Sequence, residues 1–577
     1  MTTILITYAL VIIALFLPKV KPAMAFGLGA LLLVLSGHLS VAEWMGALTT
    51  PSLLILITLM VLAGAAQAYL PLAQWMVRSQ ASPRRFLLKL MTLTAAASSV
   101  MNNTAVVAML MAPVRTWALS KGRSAAPFLM PLAFAATLGG VITVIGTSTN
   151  LVLNGLLEDN GFPILHSIDY LPIGILVTVG GIGFLSLFAF RILPDRGAPK
   201  VELRREYTVE TRVVAGGGYA NLSVETAGLR QLHGLYLVEI FRQGHCISPV
   251  APSQILEAND RLFFAGDLDQ VRALTQSHSG LALPQNELTD FADQSAIIEA
   301  MIPPGSNLTG SKVRDSQFRQ RFDAAIVAVH RQGRRMEGKI GDLILQAGDL
   351  LLLVGGSGFD SLTEGNKHLY SLDARPPLPV LSKTSKGLSL LASALILAGW
   401  LTGQVDFLTA LVTAGAAGGA LGLIRWGDVK RHVDWELMTV LVSALGFSLA
   451  LMRSGAPDQA LAWLQASTGD LSAITWLVML FVATTIATNA LSNIAALAIL
   501  FPMVAAMVNG GVLPSQVAFL GLAFGASNAF LTPFGYQTNL LVYGPGGYKS
   551  LDYLRMGIGL TFLYGAIVLI YLQFLLP

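Results

Sequence analysis

Two stretches of this chain place polar amides inside apolar runs, and they do so in the same way. Residues 102–113 read NNTAVVAMLMAP and are followed by GTSTNLVLNG at 146–155; residues 492–502 read SNIAALAILFP and are followed by GYQTNLLVYG at 535–544. Pro113 to Asn150 is 37 residues, and Pro502 to Asn539 is also 37. Amides and hydroxyls held in hydrocarbon are costly, as is backbone exposed by a glycine that unwinds a helix. Such groups persist only where they line a site or a cavity. A chain that uses the pattern twice is constrained to two related halves, each with a polar turn and a broken helix, which points to a transport site between repeats.

The rest of the composition agrees with a membrane setting. Of 577 residues, 54% are hydrophobic and only 12% charged, unlike a soluble globular chain. Most of the 37 Lys+Arg and 33 Asp+Glu lie between Arg191 and Lys386, so the net charge of +4 gives no basic run and no nucleic-acid partner. A single cysteine, Cys246, excludes an intrachain disulfide and a multi-cysteine metal site. The opening MTTILITYALVIIALFLP has no positive charge before its apolar run and no small-residue cleavage site, and reads as a first span rather than a signal peptide.

Apolar runs that can span occur at about 4–17, 23–37, 50–70, 125–157, 170–193, 384–403, 407–424, 434–452, 514–543 and 555–577. Runs at 86–118 and 471–508 are too long for one span and carry the polar cluster near their middles, so each is expected to be a re-entrant hairpin with the cluster at its tip. With Lys19, Lys21, Arg84, Arg85, Arg115, Lys121, Arg123 and Arg191 inside, the first hairpin opens to the cytoplasm. With Lys383, Lys386, Arg425, Lys430 and Arg431 inside, the second hairpin enters from outside. The expected fold is therefore a polytopic α-helical membrane protein with inverted-topology repeats, each holding a re-entrant hairpin and a broken helix. The halves run over 1–193 and 384–577.

Between them lies a charged insert with a repeat of its own. EIFRQG (239–244) and AVHRQG (328–333) are 89 residues apart, as are ILEANDRLFFAG (255–266) and ILQAGDLLLLVG (344–355). Each reads as a strand, a glycine-bearing turn and a strand after an acidic turn at Asp260 or Asp349. Two cytoplasmic tandem α+β domains, 200–282 and 285–372, are expected. Through PPGSNLTGSKV at 303–313, HRQG at 330–333 and LQAGDLLLLVGG at 345–356, the second resembles the TrkA-C type domains of potassium-transport regulators, and the first resembles them more loosely.

The site chemistry follows from residue type. Sodium takes hard oxygen ligands, which unwound carbonyls with Asn and Thr oxygens supply without a carboxylate. An anion is held by helix N-termini and by Asn, Ser or Thr donors. No Lys or Arg lies near the tips, so bound cations must balance the charge of an anionic substrate. TVIGT at 143–147 is similar to a potassium filter, but the second copy, TPFGYQ at 532–537, does not repeat it. A ligand-gated channel and a membrane-anchored sensor are the readings from other classes.

The tips and broken helices together resemble the divalent anion:sodium symporter family, whose signature is Ser-Asn-Thr at each hairpin tip. Here the tips are Asn102-Asn103-Thr104 and Ser492-Asn493-Ile494. A paired TrkA-C-like insert at this point resembles the bacterial and algal branch associated with sulfate. The resemblance implies a secondary active transporter of the bacterial inner membrane, an elevator mechanism, a homodimer, Na+ as coupling ion and no enzymatic activity. The substrate it implies is a small divalent anion, sulfate first, with a dicarboxylate or citrate as the alternative. Asn102, Asn103, Thr104, Thr149, Ser492, Asn493 and Thr538 are the expected substrate contacts. Asn103, Gly146, Thr147, Asn150, Asn493, Thr532, Gly535 and Asn539 are the expected cation ligands, and the insert is expected to bind a cytoplasmic small-molecule regulator.

Overall fold

Proline and N-terminal capping residues set where the helices of the first half begin. The computed structural model describes residues 2–15, 20, 22–46, 48, 50–67, 82–194, 208–229, 235–243, 245–247, 250–266, 281–282, 297–331, 334–336, 340–355, 358–363, 366, 368–372, 407–420, 433, 435–469 and 471–576. Helices α1 (Thr2–Leu15), α2 (Pro22–Leu35), the short α3 (Val41–Gly46) and α4 (Pro51–Gln67) come first. Helix α5 (Pro83–Ser98) starts on a proline, whose missing N–H is lost at no cost in the first turn. A four-residue turn leads to α6 (Asn103–Ser120), capped by the Asn102 side chain, which accepts from Thr104 N at 2.9 Å. Helices α7 (Ala126–Gly140) and α8 (Ser148–Asp159) are the two parts of the broken helix, and α9 (Ser167–Ile192) closes the half.

The insert forms two antiparallel five-stranded sheets of matching order. Strands β1 (Thr208–Val213), β2 (Leu235–Arg242), β3 (His245–Ile247), β4 (Arg261–Gly266) and β5 (Leu281–Ala282) pair as β3-β2-β4-β1-β5. In the second, β6 (Ile297–Met301), α10 (Phe318–Phe322), β7 (Ala324–Arg331), β8 (Arg334–Arg335), β9 (Leu350–Gly355), α11 (Phe359–Thr363) and β10 (Tyr370–Ser371) follow in sequence, and the strands pair as β10-β6-β9-β7-β8. Even the bulges correspond, at Leu237/Glu239 and Ile326/Ala328. The acidic turns are structural. Asp260 takes both Nε and Nη2 of Arg242 at 2.8 and 2.7 Å, Asp349 takes the same atoms of Arg331 at 2.7 and 2.8 Å, and both carboxylates are buried.

The second half has α12 (Phe407–Ala420), α13 (Trp435–Arg453), α14 (Ala456–Thr468), α15 (Ala473–Ala490), α16 (Asn493–Asn509), α17 (Ser515–Ser527), α18 (Gln537–Tyr543) and α19 (Ser550–Gln573). Its packing repeats that of the first: α5 and α6 lie on α7 as α15 and α16 lie on α17, and α9 pairs with α19. Both closing helices begin alike, with the backbone of His166 or Lys549 donating to an aspartate three residues on, Asp169 at 2.7 Å or Asp552 at 2.8 Å. Helix α7 is buried all round and α17 from Val517 onward, so the broken helices form the centre. Large apolar side chains of α1, α2, α9 and α19 face outward, as lipid-facing helices do.

Among the described residues three helices, α9, α15 and α19, are long and apolar enough to cross a bilayer. The pair α13–α14, bent by 62° after Gly455, passes the same test as one broken span. The runs at 4–17 and 23–37 give helices of 14 residues, about 21 Å at the α-helical rise and short of a full crossing. The run at 384–403 lies outside the described residues, and α14 corresponds to none of the expected spans.

Candidate functional site

In the first half the turn between α5 and α6 meets the break between α7 and α8. Asn103 is buried at the first position of α6, beside Ser98 of α5, with which it shares a hydrogen bond. Its amide donates through Nδ2 to the carbonyls of Gly146 at 3.1 Å and Ala136 at 3.2 Å. Gly140 makes this possible, because a Cβ there would lie 2.6 Å from both amide atoms of Asn103. The break is braced by Thr143, whose hydroxyl donates to Ser99 O and accepts from Gly146 N at 3.1 Å, while Asn150 Nδ2 donates to Thr143 O at 3.0 Å.

The second half repeats the tip bond and the brace of the break. Thr488 Oγ1 donates to Asn493 Oδ1 at 2.8 Å, again five residues apart across the turn. Thr532 Oγ1 donates to Asn489 O at 2.9 Å and accepts from Gly535 N at 3.0 Å, and Asn539 Nδ2 donates to Thr532 O at 3.3 Å. A threonine three residues before a glycine, with an asparagine four residues after that, is thus the local device that holds each helix open.

The halves are joined through Tyr536. Its hydroxyl donates to Asn103 Oδ1 at 2.8 Å and also meets Thr147, so a residue at the second break completes the polar shell of the first tip. Beside it Thr104 Oγ1 lies 3.4 Å from Gln537 Oε1. Correspondingly α18 packs on α6, and α8 packs on α16. The second half is also the more polar. Where the first copy has Ala95, Ser99 and Gly139, the second has Thr485, Asn489 and Asn528. Asn489 Nδ2 donates to Asn528 O and Thr485 O, both at 2.8 Å. Asn528 Oδ1, Asn539 Oδ1 and Thr538 Oγ1 are buried without a partner among the described residues. Neutral oxygens freed of hydrogen bonds suit a hard monovalent cation, and the residues present therefore fit a sodium ion.

Comparison with known proteins places this architecture in a family. A model of the CitMHS family, described as citrate transporters, matches residues 8–525. The chain belongs to the citrate transporter family. A putative sulfur deprivation response regulator from Chlamydomonas reinhardtii is 30% identical over 81% of this chain and 83% of its own length. Sodium/sulfate cotransporter 2 of the same alga is 27% identical over 61% of this chain and 41% of its own length. The YdaH transporter of Alcanivorax borkumensis is a solved structure at 12% identity and a TM-score of 0.44, covering 95% of this chain and 88% of that one.

As a citrate transporter family member the chain is a membrane transporter, and its expected site residues can be placed one by one. Asn103 and Asn493 sit at the tips, and Gly146, Asn150, Gly535 and Asn539 at the breaks, within one polar region. Asn102 and Ser492 act as helix caps, the Ser492 hydroxyl accepting from Ala495 N at 3.3 Å. Thr147 caps α8, taking Thr149 N at 3.4 Å, and Thr532 uses its hydroxyl in the brace. Sequence reasoning missed Ser98, Thr488, Gly140, Asn489, Asn528, Tyr536 and Gln537, and it reached Thr143 only within a filter-like string. The spacing TVIG against TPFG, and the Tyr-Gln within GYQTNL, were the available signals; Asn528 had none.

Proposed function

We propose that this chain is a sodium-coupled symporter of a small divalent anion, with sulfate first. The observation that carries the reading is the pair of buried tip asparagines, each set on a threonine-braced helix break, with unpartnered oxygens at Asn528, Thr538 and Asn539. Asn539, with Asn528 and Thr538 beside it, would hold a sodium ion in the second half; Asn103 and Gly146 serve the first. Sodium supplies the positive charge that lets a dianion rest among neutral donors and helix N-termini. Thr104 and Ser492 face the substrate from the two tips, and Gln537 from the second break. The sodium/sulfate cotransporters among the relatives support sulfate, whereas the family description favours citrate or a dicarboxylate as the second reading.

The insert is a regulatory unit on the cytoplasmic side in this reading. Reconstitution into vesicles, with uptake of labelled sulfate, thiosulfate, succinate and citrate measured with and without a sodium gradient, tests the coupling and the substrate. Sodium-dependent accumulation of sulfate above the others is expected. Accumulation indifferent to sodium would sink the coupling, and a preference for citrate would select the second reading.

A further inference from the structure

The amide of Asn103 has two ways to lie in its pocket, and the groups around it can serve both. One side of the amide faces Gly146 O at 3.1 Å and Ala136 O at 3.2 Å, together with the Ser98 hydroxyl. The other side faces the Tyr536 hydroxyl at 2.8 Å. Carbonyls only accept, so left to themselves they take the amide nitrogen, and Tyr536 donates to Oδ1. Turned about, Oδ1 joins Gly146 O, Ala136 O and Ser98 Oγ in a cluster of neutral oxygens, the set that a hard monovalent cation takes, and Nδ2 donates to the Tyr536 hydroxyl. A hydroxyl both donates and accepts, so Ser98 and Tyr536 can partner the amide in either position.

The bonds continue beyond the phenol. Tyr536 also meets Thr147, and Thr147 Oγ1 lies 3.4 Å from Thr149 Oγ1, so a line of hydroxyls runs from the first tip into the first turn of α8. With Tyr536 donating to Oδ1, each hydroxyl in this line donates towards Asn103; with Nδ2 donating to Tyr536, each donates away from it. The pocket is closed around the amide by glycine. A Cβ on Gly140 would strike Asn103, and one on Gly146 would lie 2.5 Å from Gly140 O and 2.8 Å from Ser98 O. The offset of 389 that takes Pro113 to Pro502 and Asn150 to Asn539 takes Gly140 to Ala529 and Thr147 to Tyr536. The second half therefore has an alanine where the first has the glycine that admits the amide, and its phenol is spent on the first tip.

We propose that the Asn103 amide is a two-position switch at the first-half cation site, read out by Tyr536. With Nδ2 on Gly146 O and Ala136 O, the amide holds the carbonyls in place of an ion, so no buried acceptor is left unpaired. With sodium bound, the amide turns Oδ1 inward and Nδ2 onto Tyr536, and the line of hydroxyls through Thr147 to Thr149 reverses. Tyr536 begins the second break, next to Gln537, which lies against Thr104, so the state of a site in the first half is passed to the second. The amide nitrogen competes with the ion for the same carbonyls, which makes binding reversible and couples it to the phenol. The inference rests on the sodium-coupled reading and deepens it by naming the side chains that register the ion.

The test uses the full chain, purified in detergent, with a fluorinated tyrosine at position 536 read by fluorine NMR. Sodium is titrated against choline at constant ionic strength with no anion substrate present, and sodium binding is followed separately as a rise in melting temperature. In the parent the resonance at 536 should move by more than its width as sodium is added. In Asn103→Ala it should stay in place, while the melting temperature still rises through the oxygens of Asn528, Thr538 and Asn539. Asn103→Asp keeps the shape but has no nitrogen to offer the carbonyls. It should melt below the parent in choline, recover in sodium and leave the resonance in one position, which decides the matter should Asn103→Ala fail to fold. A rise in melting temperature with an unmoved parent resonance overturns the switch and leaves the symport reading standing, as does a resonance that moves as far in Asn103→Ala. No sodium-dependent rise, together with uptake indifferent to sodium, removes the reading and the switch with it.

Discussion

Tyr536 is one phenol hydroxyl that links two repeats, and it is the donor that Asn103 Oδ1 accepts from in the orientation that satisfies the amide. Tyr536→Phe keeps the ring and strands that oxygen, a loss of about 1–3 kcal/mol. Sodium-driven uptake should fall roughly tenfold with the melting temperature little changed, as measured on the same purified protein. Gly140→Ala should be more severe, because the new Cβ displaces the Asn103 amide itself. Uptake should be lost, and retention of the parent rate would show that Asn103 does not need its present place. The tip asparagines were legible from sequence because an amide inside an apolar run costs too much to persist without a role. Tyr536 and Asn528 were not, since an aromatic or an amide beside a break acquires meaning only from what the other half brings to it.

At the scale of elements, hairpins and breaks could be read from the polar interruptions and their equal spacing, and the two halves show the same bonds at the same offsets. The bent pair α13–α14 escaped the reading because its second helix carries a mixed face and follows a glycine with φ +68, a turn that apolar counting does not register. Asn103→Ala and Asn493→Ala each remove a tip amide while leaving the caps Asn102 and Ser492 in place. Both should abolish uptake with expression near normal, and transport by both variants would sink the site. The inverted topology expected from the charges makes a separate prediction. In a Cys246→Ser chain, Thr104→Cys should react with an impermeant thiol reagent from the cytoplasmic side and Ile494→Cys from the opposite side. Reaction of both from one side would rule the inversion out.

For the whole molecule, the insert was legible as a duplication with soluble-domain chemistry, but its docking was not. The difference between Arg212/Arg261 and Met301/Leu350 looks in sequence like ordinary drift between copies. Only the fold shows that Met301 and Leu350 meet the membrane helices while Arg212 stays exposed. Replacing 200–375 with a flexible linker therefore has two consequences that pull apart. The tip and break residues all lie in 98–150 and 488–539, so sodium-driven uptake should persist with a changed rate. The same deletion uncovers Leu540 and the α6–α18 seam and removes the buried Met301 and Leu372, so the detergent-solubilised protein should melt several degrees lower. Uptake with a changed rate and a lowered melting temperature is the expected pair of results. A folded deletion protein that no longer binds labelled sulfate would instead make the insert part of the site. One that transports at the parent rate and melts at the parent temperature would mean that the seam contributes nothing in the membrane.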